Sequence, residues 1–290
     1  MASTRKAYLQ VLETGVYASV QDRGRHGFMH WGIPHSGFMD KALAALANEL
    51  VGNSEDLSCI EFYKNNLSIR FSNTAHIAIA GIQISFSIDG EIYTGTQRVQ
   101  IPKGGVLKIL SLPHHNWAYL AILGGFNSEQ ILGSRSMMKG VTTLDRLYKG
   151  MTIPFTHSNG AMSGLTVKLG KEKEQDIKIM PGPEFKLLPK PIQNKVFNKP
   201  LTISPQSNRQ AYILDGFDQE ISNSQIKSGY TPAGTIQITP AGKLFVLMKD
   251  GQTTGGYFRI GFLDKEDLGQ LAQIPFGEKV QFKIKPEITL

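Results

Sequence analysis

Residues 234–262 read GTIQITPAGKLFVLMKDGQTTGGYFRIGF. Three short runs, TIQIT, KLFVLM and YFRIGF, are rich in Ile, Val, Leu, Phe and Tyr, and turns carrying Gly, Pro and Asp separate them. Runs of this length and punctuation are strands joined by hairpins and barrel corners; βαβ units would place a helical pattern between successive strands. The same texture extends outward through DIKIMPG (176–182), LTISP (201–205) and QAYILDG (210–216), and ends in VQFKIK (280–285). One interruption is expected, a short helix near Asp264 to Gln273, where Leu268, Leu271 and Ala272 approach helical spacing and Pro275 ends the run.

The first half repeats the pattern in YLQVLET (8–14), ASVQD (18–22), LSIRF (67–71), HIAIAG (76–81), ISFSIDG (84–90), RVQIP (98–102) and VLKIL (106–110). WAYLAILGG (117–125) has the apolar density of a strand buried on both faces and is placed at the centre of the first domain. MTIPF (151–155) and LTVKL (165–169) continue the series. A helix over Lys41–Leu50 stands out: Asp40 caps its start, Leu43, Leu46, Ala47 and Leu50 share a face, and Gly52 and Asn53 stop it. KEKEQD (171–176) is an exposed hydrophilic turn. The expected fold is mainly β with a few short helices: an N-terminal barrel-like domain over 1–172 and a C-terminal one over 173–290, with strands free to exchange across the boundary.

The 290 residues suffice for about two domains. Hydrophobic residues make up 41% and charged residues 19%, which excludes a disordered chain. The formal net charge of +7 fits solubility, or capture of an anion. Eight lysines lie between Lys168 and Lys199, but acidic residues are interleaved and aromatics are sparse, so no nucleic-acid groove is expected. The single cysteine, Cys59, excludes an intrachain disulfide and reads as a small core hydrophobe. The first residues lack a secretory apolar segment and no long apolar run follows, so the expectation is a cytoplasmic protein with no membrane partner.

Two polar constellations carry the chemistry. SVQDRGRHGFMHWGIPHSGFMD (19–40) gathers Asp22, Arg25, His26, His30, His35, Ser36 and Asp40 among four glycines. A histidine beside a carboxylate moves protons near neutral pH, so His26 with Asp22 or Asp40 forms the candidate catalytic set. Arg25 and Ser36 are candidate substrate contacts. The three histidines lack HExxH spacing, and no metal site is expected. The second constellation, FVLMKDGQTTGGYFRIG (245–261), delivers Gln252, Thr253, Thr254 and Arg259 to a glycine-containing loop that suits a small amide or carboxylate. Neither GxxxxGK[ST] nor GxGxxG occurs, so no nucleotide site is read in this chain. Arg209, in QSNRQAYILDG, is a further candidate for a substrate anion.

These stretches, with LVGN, LGSRS and QSNR, resemble in order, from about Leu12 to Phe282, the C subunits of bacterial 5-oxoprolinases, within the wider biotin-dependent carboxyltransferase-like and allophanate-hydrolase-subunit-2-like family. The family form TVQDxGRxGxxxxGIPxSGxMD is matched at Val20, Gln21, Asp22, Gly24, Arg25, Gly27, Gly32, Ile33, Pro34, Ser36, Gly37, Met39 and Asp40, and LMxDxQTTGGYPRI from Leu247 to Ile260. Ser19 and Phe258 depart from the family's Thr and Pro; Gln210, Ala211, Ile213 and Ala233 depart elsewhere. The resemblance implies cyclophilin-like barrel domains and a subunit that works with A- and B-subunit-like partners in ATP-dependent opening of 5-oxo-L-proline to L-glutamate. ATP would be used by the complex rather than held by a motif here. The alternatives it leaves are carboxyl transfer to a urea-like amide from a partner's biotin carrier, and a non-enzymatic subunit that binds a kinase-inhibitor-like partner.

Overall fold

A computed structural model describes residues 7–285 except 65, 114, 157–163, 170–175 and 222–224; residues 171–175 of the expected hydrophilic turn lie outside the described set. Strand accounts for 41% of residues and helix for 13%, so the β reading holds. The chain divides into two compact units, Met1–Arg25 with Ser36–Lys171, and His26–His35 with Glu172–Leu290. In this division ten residues of the first polar constellation, 26–35, group with the second unit, on the far side of the boundary expected at 172/173. Gly37 has φ +90°, and a Cβ there would lie 2.9 Å from Asp22 O.

Unit 1 holds β1 (Tyr8–Thr14), β2 (Tyr17–Gln21), α1 (Lys41–Leu50), β3 (Cys59–Tyr63), β4 (Leu67–Phe71), β5 (Ala75–Ala80) and β6 (Ser85–Ile88). It continues with β7 (Glu91–Thr94), β8 (Thr96–Ile101), β9 (Val106–Ser111), β10 (Trp117–Ile122), β11 (Thr152–Pro154) and β12 (Leu165–Val167). Among the described residues these strands form two six-stranded sheets, ordered β11-β1-β4-β9-β6-β7 and β12-β8-β5-β10-β3-β2, rather than one closed ring. Leu9, Val11, Phe71 and Phe86 of the first sheet share one core with Phe62, Ile77, Ile79 and Leu120 of the second. β10 is buried throughout, as its composition requires. Ala118, Leu120 and Ile122 face that core, and α1 packs against β10 and β5. Asp40 caps α1, its Oδ1 accepting from Leu43 N at 3.1 Å. At the other end Asn53 donates to Ile122 O (2.8 Å), tying the helix exit to the end of β10.

Unit 2 holds β13 (Asp176–Pro181), α2 (Lys190–Asn198), β14 (Leu201–Ile203), β15 (Ala211–Asp215), β16 (Gln225–Tyr230), β17 (Thr235–Ile238), β18 (Leu244–Leu247), β19 (Thr254–Phe262), α3 (Lys265–Gln273) and β20 (Lys279–Ile284). Seven strands pair in the order β13-β20-β14-β15-β18-β17-β19, and β13 pairs back to β19, which closes a barrel; β16 flanks it. Ile177, Ile179, Leu201, Ile203, Ile236, Ile238, Val246, Ile260, Val280 and Phe282 are buried. β19 changes partner along its length: Phe258–Phe262 pairs with β17, and Thr254–Tyr257 with β16. α3 begins as expected, with Asp264 accepting from Glu266 N and Asp267 N. α2 was not foreseen: its Ile192 and Val196, one turn apart, are buried, but its lysines read in sequence as part of a basic stretch.

Candidate functional site

Asp22 of the expected catalytic set follows β2 in unit 1, and its carboxylate accepts several hydrogen bonds there. That carboxylate is spent inside unit 1: Oδ1 accepts from Gly24 N (2.8 Å), Ser134 Oγ (2.5 Å) and Ser136 Oγ (2.7 Å), and Oδ2 from Arg135 N (2.6 Å). It therefore fastens the Gly-Ser turn around Arg135 to the end of β2, and burial makes each of those bonds count. Arg25, fully buried, donates to Ser136 O in the same turn. Asp40 is the α1 cap. Ser36, with φ +57°, is buried and donates to Gln21 Oε1 at 3.5 Å. These four expected site residues thus have structural duties in unit 1.

A buried anchor that sequence reading passed over fixes the segment's exit. Glu61, in β3, accepts from Met39 N (2.7 Å) and Tyr119 Oη (2.9 Å), while Asp40 N donates to Tyr119 Oη (2.7 Å). Burial, and then the charges of Glu61 and Asp40, push the Tyr119 phenol well above its ordinary value, so it stays a neutral donor. The available signal was one charged residue inside the apolar run CIEFY.

In unit 2, His26 packs on His35 with ring centroids 4.8 Å apart. Burial, followed by the charges of His26, Lys249 and Lys265, lowers the His35 pKa from its ordinary value. The imidazole is therefore biased toward its neutral form beside a cationic group. Tyr230 Oη contacts Met29 Sδ at 3.1 Å, so β16 and the loop preceding residue 250 both neighbour this segment. Among the described residues, no group of three His, Cys, Asp or Glu side chains is placed to hold a metal.

The arginines expected to meet a substrate anion are committed within the chain. Arg209 closes on Asp250 through Nε (2.8 Å) and Nη2 (3.1 Å), with side chains 6% and 11% exposed. Arg259 donates from Nε (3.0 Å) and Nη2 (2.7 Å) to Glu184, whose Oε2 also accepts from Arg259 N. Both forks are bidentate, the arrangement a guanidinium adopts with one carboxylate. These ion pairs brace the loop: Arg209 holds its start at Asp250, and Arg259 holds β19 through Glu184.

Between those braces lie Gln252 and Thr254, exposed, and Thr253, buried. Thr231 donates from Oγ1 to Gln252 O (3.1 Å) and from N to Thr253 O (3.0 Å). The N–H of Asp250 is bonded to Arg209 O and that of Gly251 to Met248 O, so these two amides are not open to a phosphate. Next to it lies Gln237 of β17, fully buried, donating from Nε2 to Tyr257 O (3.3 Å). A Cβ on Gly255 would lie 2.8 Å from Gln237 Nε2 and 3.0 Å from Gln252 Nε2, so the two carboxamides converge over that glycine. Gln237 was missed because a single glutamine inside the strand run TIQIT carries no motif of its own. A shallow cavity of about 370 Å³ in unit 1, lined by Gln10, Glu13, Ser68, Lys108 and Lys149, carries none of these residues.

Comparison with known proteins follows the same residues. The model of the carboxyltransferase domain, subdomain A and B, matches residues 31–284. The chain is 33% identical to the 5-oxoprolinase C subunit of Escherichia coli (strain K12), covering 94% of this chain and 90% of that protein. It is 26% identical to the urea amidolyase of Lachancea kluyveri over 94% of its own length, which is only 17% of that enzyme. The crystal structure of TTHA0988 superposes with a TM-score of 0.86 at 26% identity, covering 98% of this chain. This chain spans just over half, 56%, of that solved chain.

Proposed function

The chain belongs to the carboxyltransferase domain family, subdomains A and B, and from that premise we propose that it is a subunit of an ATP-dependent 5-oxoprolinase that opens 5-oxo-L-proline to L-glutamate. The observation that carries this reading is the match along nearly the whole chain to the C subunit of a 5-oxoprolinase, with both polar constellations included. The unit 2 loop supports it by its chemistry: exposed Gln252 and Thr254 supply neutral donors and acceptors suited to a lactam, and His35 with Lys249 supplies a basic flank for its carboxylate. The full reaction consumes two waters: one opens the C–N bond of the phosphorylated lactam, and the other releases phosphate from the resulting acyl phosphate. With no nucleotide motif here and the loop amides of Asp250 and Gly251 engaged, phosphorylation is assigned to an A- or B-subunit-like partner. This chain would orient the amide in a cytoplasmic complex.

The urea amidolyase relatives support a second reading, carboxyl transfer to a urea-like amide from a biotin carried by a partner. Product analysis separates the two. The chain with candidate partners, 5-oxo-L-proline and ATP is expected to yield glutamate without biotin or bicarbonate. Labelled bicarbonate entering an amide product in a biotin-dependent way would transfer the chain to the second reading.

A further inference from the structure

Gln237 is buried and its Oε1 has no hydrogen-bond partner among the described residues, although its Nε2 is bonded to Tyr257 O. Leaving a buried carbonyl oxygen unmet costs about 1–3 kcal/mol, so an apolar residue of the same shape would serve a barrel strand better. Ile236 and Ile238, on either side, show what that strand otherwise buries. With Nε2 bonded to the Tyr257 carbonyl, Oε1 is the carboxamide atom left over. The acceptor lies beside Gly255, where any side chain would meet the Gln237 carboxamide, and across from Gln252 Nε2. Gln252 is exposed, and its bond to Thr231 runs through its main-chain carbonyl, so its side chain can swing aside without opening the barrel.

Resting on the amide-substrate reading above, we infer that Gln237 is the residue that reads the substrate's amide N–H: its Oε1 accepts that hydrogen while Gln252 Nε2 donates to the substrate carbonyl, with Gly255 keeping the space between them clear. A lactam or urea presents this N–H beside C=O edge, whereas a carboxylate or ester lacks the donor. A site built to bond an N–H discriminates strongly against an analogue without one, because the buried acceptor is then left unpaired.

The test titrates the full-length chain, alone and with its partners, with 5-oxo-L-proline, urea and cyclopentanecarboxylate, which has the ring and carboxylate but no amide. Gln237→Met removes the acceptor at similar volume. It is expected to weaken binding of the amide probes at least tenfold, leave cyclopentanecarboxylate unchanged, and change Tm little, the lost Nε2 bond to Tyr257 O offsetting relief of the unmet Oε1. Gln237→Glu retains an acceptor and is expected to bind within a few-fold of wild type. Unchanged affinity in Gln237→Met, loss in both variants with a fallen Tm, or failure of wild type to bind either amide overturns the inference. If Gln237→Met matches wild type while the complex still releases glutamate, the inference alone fails. If urea binds and its binding is lost in Gln237→Met while 5-oxo-L-proline never binds, the inference stands and the 5-oxoprolinase reading falls.

Discussion

Arg209 and Asp250 form a buried pair whose members stand far apart in sequence, and that pairing sets what each residue can do. Removing one partner strands a buried charge, which typically costs about 3–5 kcal/mol, while removing both relieves most of it. Arg209→Ala is therefore predicted to lower the urea midpoint sharply, and Arg209→Ala with Asp250→Ala to recover most of the loss. An unchanged midpoint in the single variant would return Arg209 to the set of free anion contacts. Glu184 makes a related prediction in pH. Burial pushes its carboxyl upward, but the hydrogen bonds and charge of Arg259 outweigh burial and hold it below its ordinary value of 4.5. A folded pKa below the unfolded one stabilises fully above about pH 4.5 and is lost as pH falls through the folded value. Between about pH 6 and about pH 3, wild type should lose more Tm than Glu184→Gln, and parallel pH profiles would contradict this. At this scale the sequence displayed residue types but not their partners: Asp22, Arg25 and Arg259 looked available, and only folding shows their polar groups engaged within the chain. A lone polar residue in an apolar strand, Glu61 or Gln237, was the legible signal that went unused.

Strands and helices were more legible than residues, because hydrophobic periodicity and turn chemistry are local properties. α1 and α3 announce themselves by an aspartate ahead of an apolar face. α2 is short and lysine-rich, and its small buried face is visible only once the barrel is there to bury it. The closure of the barrel depends on a contact that no local pattern reveals. β13 meets β19 at Met180–Phe262 and Pro181–Gly261, and Gly182 N continues the contact to Ile260 O (3.0 Å). A Cβ on Gly182 would strike the Arg259 carbonyl, a backbone atom that cannot turn away. Gly182→Ala is predicted to loosen that seam, raising hydrogen exchange over 176–181 and 259–262 while unit 1 amides keep their protection. Uniform exchange across both units, or none beyond wild type, would show that the seam does not hold the barrel closed.

For the whole molecule, the sequence indicated two β-rich halves, but not that residues 26–35 would group with the second. That grouping arises from contacts made after folding. It also divides the labour: unit 1 spends its share of the first constellation on structure, while unit 2 gathers the exposed amide and hydroxyl groups. Under the proposed 5-oxoprolinase function, the chain is expected to be needed for glutamate release together with partner subunits. The decisive measurement is ATP-dependent glutamate release from 5-oxo-L-proline with this chain and candidate A- and B-subunit-like proteins, each omitted in turn. The account predicts release only when all are present, and its abolition when this chain is withheld. Release at an undiminished rate without this chain would contradict it.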